Sequence, residues 1–594
     1  MQPQKILPWC VGLVAIFFAA PFRSPAAEGE WTMAPKDYAN TRFSTLSQVT
    51  PENVPQLRCA WTFGTGVNRG QESAPIVVGT TMFVVTPFPN YLYALDLAQE
   101  GEIKWKYEPK PDAAAQGEAC CDHVSRGIAW VDGKVIMNTL DAQTAAVDAA
   151  TGREIWKRKM GDIRVGETMT MAPFVVDGKV IVGNSGSQFG ARGWIAALDV
   201  ATGKVLWKAF NTGPDHDCLI GEKFKPFYAK DRGKDLGVST WPGSQWKIGG
   251  GTVWGWISYD PELKLLYHGT GDPSPWNSEV RAGDNKWASG IFARDPESGQ
   301  AVWYYQYTPH DLYGHDGINE SICAELALQP GEAKRKVLLH ADRNGYLYVL
   351  DRHTGEVISA TPFVRVNSTI GVDLKTGALK FNDDKKPQLG KVVRDITPAA
   401  PGGKDWQPSA FSPQTNLLYL PHQTLSMDFE ETPANYIAGT PYIGAHAKFY
   451  ADPIDPGDGS RGVFTAWDPV ACKAVWRIKE RFPVWCGTFV TASGLVFYGT
   501  MDRWFKAVDA KSGKVLWKFR VDSGIVSQPI TYLGPDGKQY VAVLSGVGGW
   551  PGSVVSKDLR PDKDPTAAHG FGEAMKDLPN FTAKGGTLYV FSLP

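Results

Sequence analysis

The feature that most constrains this 594-residue chain is a motif repeated along it: two apolar residues around a small one, an aspartate, a short turn with Thr-Gly or Ser-Gly, and then β-forming residues ending in tryptophan. Copies read ALDLAQEGEIKW to Trp105, AVDAATGREIW to Trp156, ALDVATGKVLW to Trp207, ARDPESGQAVW to Trp303, AWDPVACKAVW to Trp476 and AVDAKSGKVLW to Trp517. A further copy, LDRHTGEVISA, lacks its tryptophan. Alternating strands around a polar turn are a hairpin signature. The aspartates stand at 96, 148, 199, 295, 351, 468 and 509, about 40 to about 115 residues apart. Some units therefore carry long insertions, near 215–255 and 360–405, and such loops are where a pocket is built.

An eighth copy is split across the termini. The chain ends in LYVFSLP, which matches LYALDL near Asp96 but stops before its tryptophan strand; QLRCAWTFGTG, with Trp61, supplies that strand from the other end. The pattern predicts an all-β fold, an eight-bladed β-propeller over residues 28–594, closed by its N- and C-terminal strands so that no sheet edge is left open. No helical heptads and no linker rich in Gly, Ser or Pro divide it. Propellers serve both as enzymes and as docking platforms, so the fold alone leaves function open.

A formal net charge of −1 offers no basic field for nucleic acid or an anionic membrane, and excludes both as main partners. Residues 1–27 predict a secretory signal: Lys5 precedes an apolar run from about Val11 to Ala20, and Ser24, Ala26 and Ala27 offer a cleavage site. The run is too short to span a bilayer, and no later segment approaches the ~18 apolar residues a span needs. The mature chain is expected to be soluble and exported, where disulfides survive. Of the eight cysteines, Cys10 leaves with the signal, so at least one of the other seven is a free thiol. No C-x-x-C-H site for attached haem is present.

Two cysteines are adjacent, Cys120 and Cys121 in EACCDHVSRG. Neighbouring Cα atoms lie about 3.8 Å apart, whereas ordinary disulfides span roughly 4.4–6.8 Å. On spacing alone the pair reads as two cysteines bonded elsewhere, two buried thiols, or a small strained ring of the kind that persists where the ring has a role.

The segments GQESAPIVV, ACCDHVSRG, GETMTMAP, KIGGGTVWGW, DNKW, DRNGYLY, GKDWQP, FPVWCG and GVGGWPG, set in a tryptophan-rich eightfold repeat, resemble the pyrroloquinoline quinone (PQQ)-dependent alcohol dehydrogenases of the methanol/ethanol type over essentially the whole mature chain. The resemblance implies a Cys120–Cys121 disulfide as the ceiling and Trp254 as the floor for the flat quinone. It implies polar contacts from Glu72, Arg126, Thr170, Ser185, Gly186, Ser187 and Thr252, with Arg126 paired to a PQQ carboxylate. Arg343 would stand by the quinone oxygens, with Trp485, Gly549 and Trp550 completing the cradle. The activity implied is two-electron oxidation of a primary alcohol: a calcium or lanthanide ion polarises the quinone, a carboxylate takes the alcohol proton, and electrons leave singly to a soluble cytochrome c. A periplasmic location and a homodimer are the family's usual setting.

The chain departs from that family's pattern at the metal and base positions. Gln188 stands where the family has a glutamate ligand, and Asp272 where it has asparagine, so a carboxylate and an amide have traded places and a hard cation can still be held. In TPHDLYGHDG, Gly314 occupies the catalytic-base position and Asp316 the one associated with lanthanide use. Gln188, Asp272 and Asp316 are thus the expected metal set, and Asp316 the expected base if the loop shifts, with Asp311 acting through a water as the alternative. Raised activity in Gly314→Asp would mark a weakened base. Thr397 and Ser426 replace both halves of a second family disulfide, Cys472 replaces a turn glycine, and Asp405 replaces a pocket asparagine and would repel a PQQ carboxylate if ionised. Three readings follow: a working dehydrogenase with a rearranged metal shell, a PQQ-binding relative with little turnover, and an exported docking platform.

Overall fold

A computed structural model describes residues 28–594; the expected signal, residues 1–27, lies outside the described residues. Eight antiparallel sheets form the blades: 76–107, 129–159, 174–210, 257–306, 321–362, 410–480, 488–520, and 530–592 completed from the N-terminal side. Each has four strands, and the 488–520 sheet gains a fifth, Phe43–Ser44, which runs parallel to its neighbour Thr488–Thr491. That last blade takes Arg58–Gly64 as its outer strand, paired with Thr587–Ser592 so that Trp61 lies opposite Val590. The split eighth copy is therefore the closure of the ring. No helix among the described residues is long and apolar enough to cross a membrane.

The repeat has a physical cause. Each aspartate accepts backbone N–H groups of its own turn, as Asp148 Oδ1 does from Ala150 and Thr151 and Asp199 Oδ1 from Thr202. The turn glycine receives the tryptophan of the preceding blade. A Cβ on Gly152 would lie 2.7 Å from the Trp105 ring, and Gly203 meets Trp156, Gly299 meets Trp207, Gly355 meets Trp303 and Gly513 meets Trp476 in the same way. These indole N–H groups donate to a carbonyl of the next turn, from Trp105 to Ala149 at 3.2 Å and from Trp207 to Pro296 at 3.0 Å. Trp61 on Gly101 carries the contact across the closure.

The one blade that lacks its tryptophan has Ser359 at that position, and the turn it faces has Cys472 instead of glycine. Cys472 Sγ lies 3.8 Å from Ser359 Oγ. The two substitutions are one event: a missing wedge and a filled seat. Ser359→Trp combined with Cys472→Gly is expected to raise stability by about 0.5–2 kcal/mol, read by thermal unfolding, whereas Ser359→Trp alone gains nothing because the thiol side chain occupies the seat.

Residues 29–44 wind once around the inside of the ring and touch the blades in order. Gly29 O accepts from Leu533 of the last blade, Trp31 exchanges two hydrogen bonds with Val77 of the first, and Thr32 O accepts from Trp130 of the second. The Tyr38 ring packs on Phe174 of the third. Tyr38, Ala39, Thr41 and Arg42 carbonyls then accept from Tyr259, Cys323, Phe411 and Val490 of the next four.

Of the two flagged insertions, 215–255 leads to Trp254 and 360–405 to Asp405; two further ones, around 425–451 and 549–580, also cover the site. Thr397 and Ser426 share a 2.7 Å hydrogen bond, and Arg365 donates to both. A polar link thus stands where the family has a disulfide.

Candidate active site

The segments that enter successive blades converge on one cavity of about 810 Å³, including its open mouth. Cys120 and Cys121 are bonded to each other on its wall, with Cα atoms 3.8 Å apart, and Cys59, Cys218, Cys323, Cys472 and Cys486 are free. Trp254 lines the same cavity, and two guanidinium groups lie over its ring, Arg126 at 4.6 Å and Arg343 at 5.3 Å from the centroid. At these distances each guanidinium is attracted by the face of the indole ring.

Arg126 organises one end. It pairs with Glu72 at 3.0 Å and donates to Thr170 Oγ1 at 2.7 Å, and Thr170 shares a hydrogen bond with Ser185. Burial pushes the Glu72 carboxyl up to about 8, against the pull of the Arg126 guanidinium. Gln528 ties the pair together by donating to the carbonyls of both Glu72 and Arg126. Gly186 and Gln188 also line the cavity, with Gln188 Oε1 3.5 Å from Cys120 Sγ.

Arg343 organises the other end. It stands on a turn capped by Asp342, which accepts from Asn344 N, and bridges Asp316 at 2.9 Å and Asp405 at 2.8 Å. Burial works against its charge, but Asp316 and Asp405 outweigh burial and raise its pKa. Asp405, expected to repel a PQQ carboxylate if ionised, is paired within the protein to the Arg343 guanidinium.

Asp316 Oδ1 accepts from the backbone N–H of Asp272 at 2.7 Å, so the two carboxylate residues are neighbours. Burial drives the Asp272 carboxyl well above the usual range, reinforced by the charges of Asp316 and Asp311. Burial raises Asp316 as well, with Arg343 opposing. Asp272 Oδ2 accepts from the Trp276 indole at 2.6 Å, while its Oδ1 is buried without a partner. Two adjacent buried carboxylates with a spare oxygen suit a hard cation; among the described residues no third His, Cys, Asp or Glu joins them.

Ser187, Thr252, Asp272 and Gly549 do not line the cavity. Ser187 and Thr252 hydroxyls satisfy each other at 2.9 Å, and Gly549 N–H donates to Asp122 Oδ2 at the start of the helix Gly549–Ser556. Asp311 is spent on its own loop: Oδ2 accepts from Gly314 N and His315 N and Oδ1 from Tyr313 N. Asp311, the alternative base acting through a water, does not itself line the cavity. Trp485 and Trp550 line the cavity as expected.

Trp276, Trp406, Ile443 and His569 also line it and were not anticipated. Trp406 lies inside the quoted stretch GKDWQP and Trp276 four residues after Asp272, so a signal existed; Ile443 and His569 come from insertions without a motif.

A family model described as PQQ glucose/ethanol/alcohol dehydrogenase, beta-propeller domain, matches residues 31–369 and 458–541. The chain is 50% identical over 569 residues to a lanthanide-dependent methanol dehydrogenase of Methylacidiphilum fumariolicum (strain SolV), covering 95% of this chain and 92% of that protein. It is 43% identical over 576 residues to methanol dehydrogenase (cytochrome c) subunit 1 of Methylobacterium organophilum, covering 96% and 91%. Among solved structures, a europium-containing methanol dehydrogenase superposes with a TM-score of 0.93 at 50% identity, covering 96% of this chain and 98% of that one.

Proposed function

The chain belongs to the PQQ-dependent alcohol dehydrogenase family, and we propose that its central cavity oxidises a primary alcohol of the methanol/ethanol type to the aldehyde. The observation that carries this reading is the joint presence, on one cavity, of the Cys120–Cys121 disulfide, Trp254 and the two arginines. When bound, PQQ supplies the two-electron acceptor and a calcium or lanthanide ion the Lewis acid.

The chain's own groups then have definite tasks. The disulfide and Trp254 enclose a flat ring, and Arg126, with Glu72, Thr170 and Ser185 behind it, holds a carboxylate at the rim. Gln188, Asp272 and Asp316 hold the cation. Asp316 also accepts the alcohol proton, because of the two neighbouring carboxylates it is the one that lines the cavity. Arg343 offsets negative charge that develops beside it.

The relatives named for lanthanide dependence favour a lanthanide, and those named with cytochrome c favour a soluble cytochrome c as electron acceptor. The reading extends to cleavage of residues 1–27, work in the periplasm and a homodimer.

Alcohol-dependent dye reduction by PQQ-reconstituted protein, with calcium and lanthanum in parallel, tests it. Turnover is expected with at least one ion, and more with lanthanum. Bound PQQ with no turnover under either ion would leave a cofactor-binding protein in place of an enzyme.

A further inference from the structure

Gly314 and Asp272 look like two unrelated departures, yet a single side chain joins them. Gly314 has φ +77°, and a Cβ built on it would lie 2.7 Å from Cε2 and 2.9 Å from Cζ2 and Nε1 of Trp276. The indole thus occupies the space a longer residue at 314 would need. From that place it donates to Asp272 Oδ2 at 2.6 Å. Trp276 is itself held: its backbone N–H donates to Ile443 O at 2.7 Å, and its ring leans on Phe429 and Trp550 with centroids 6.1 and 6.4 Å away.

We propose that Trp276 is a positioning residue for Asp272, seated by the absence of a side chain at 314, and that it fixes one carboxylate oxygen so that the other, Oδ1, is free to bind the cation. This rests on the proposed reading of the site. Partners one step removed from a metal commonly set its affinity, and removing one weakens binding about 10–100-fold. The buried, partnerless Oδ1 is the second, independent sign that Asp272 is held ready for something outside the chain.

Trp276→Phe keeps the ring packing and removes the N–H; Gly314→Ala keeps the indole but pushes it from its seat. Lanthanum and calcium affinities of the PQQ-reconstituted proteins are measured by titration calorimetry, beside dye reduction at rising metal concentration. Both variants are expected to bind about 10–100-fold more weakly than the parental protein, and excess metal is expected to restore turnover in Trp276→Phe with its thermal midpoint unchanged. Gly314→Ala keeps the test decisive should Trp276→Phe fail to fold. Parental affinity in the variants overturns the inference while leaving the proposed function standing. Failure of the parental protein to bind either metal removes the reading of the site, and this inference with it.

Discussion

Asp316→Ala is expected to lose alcohol oxidation by about 10²–10⁴-fold, the range a positioned general base supplies, while the protein stays folded and continues to bind PQQ. The fold survives because Arg343 keeps Asp405 as its partner at 2.8 Å when Asp316 is removed. Leaving a buried charge wholly unpaired would cost about 3–5 kcal/mol, and that situation does not arise here. Asp272 N loses its acceptor, a smaller penalty of about 1–3 kcal/mol. Steady-state dye reduction gives the turnover and the PQQ absorbance gives its occupancy. Turnover within tenfold of the parental protein would assign the proton to another group.

Gly314→Asp is expected to lower both stability and turnover, the opposite of what motif repair would suggest. The backbone there is in the left-handed region, and the incoming Cβ meets the Trp276 ring at 2.7 Å. Overpacking of a filled core costs about 1–3 kcal/mol. The new carboxylate would also join Asp272, Asp311 and Asp316, whose mutual charges already raise Asp272. A reduced thermal midpoint with turnover at or below the parental level is the expected result. Increased turnover at an unchanged midpoint would show that Trp276 moves aside freely.

These two cases show what was legible in the sequence. Asp316 and Gly314 were identifiable because they stand at fixed offsets in TPHDLYGHDG. What Gly314 means was not, because its meaning lies in Trp276, which reaches it through space from another loop. The ring was legible for the converse reason. The Asp turn, its glycine and the following tryptophan are local, and the contact of each tryptophan with the next turn repeats about once per blade. Cys472 looked like an isolated oddity because its partner, Ser359, belongs to the preceding blade. Ser187, Thr252 and Gly549 were assigned to the cavity through their motifs, but whether a hydroxyl faces a cavity or a neighbouring hydroxyl depends on rotamers that no motif records.

The N-terminal strap has a consequence for how the molecule comes to exist. Its hydrogen-bond partners run from Val77 to Leu533, so the strap has no complete binding surface until the last blade has been made. Contacts of such separation form late, since loop-closure entropy opposes them until the intervening chain is ordered. A polypeptide made in N-to-C order would therefore hold its leading end in waiting. The strap would seat as the finishing step of assembly, once all eight blades stand to receive it.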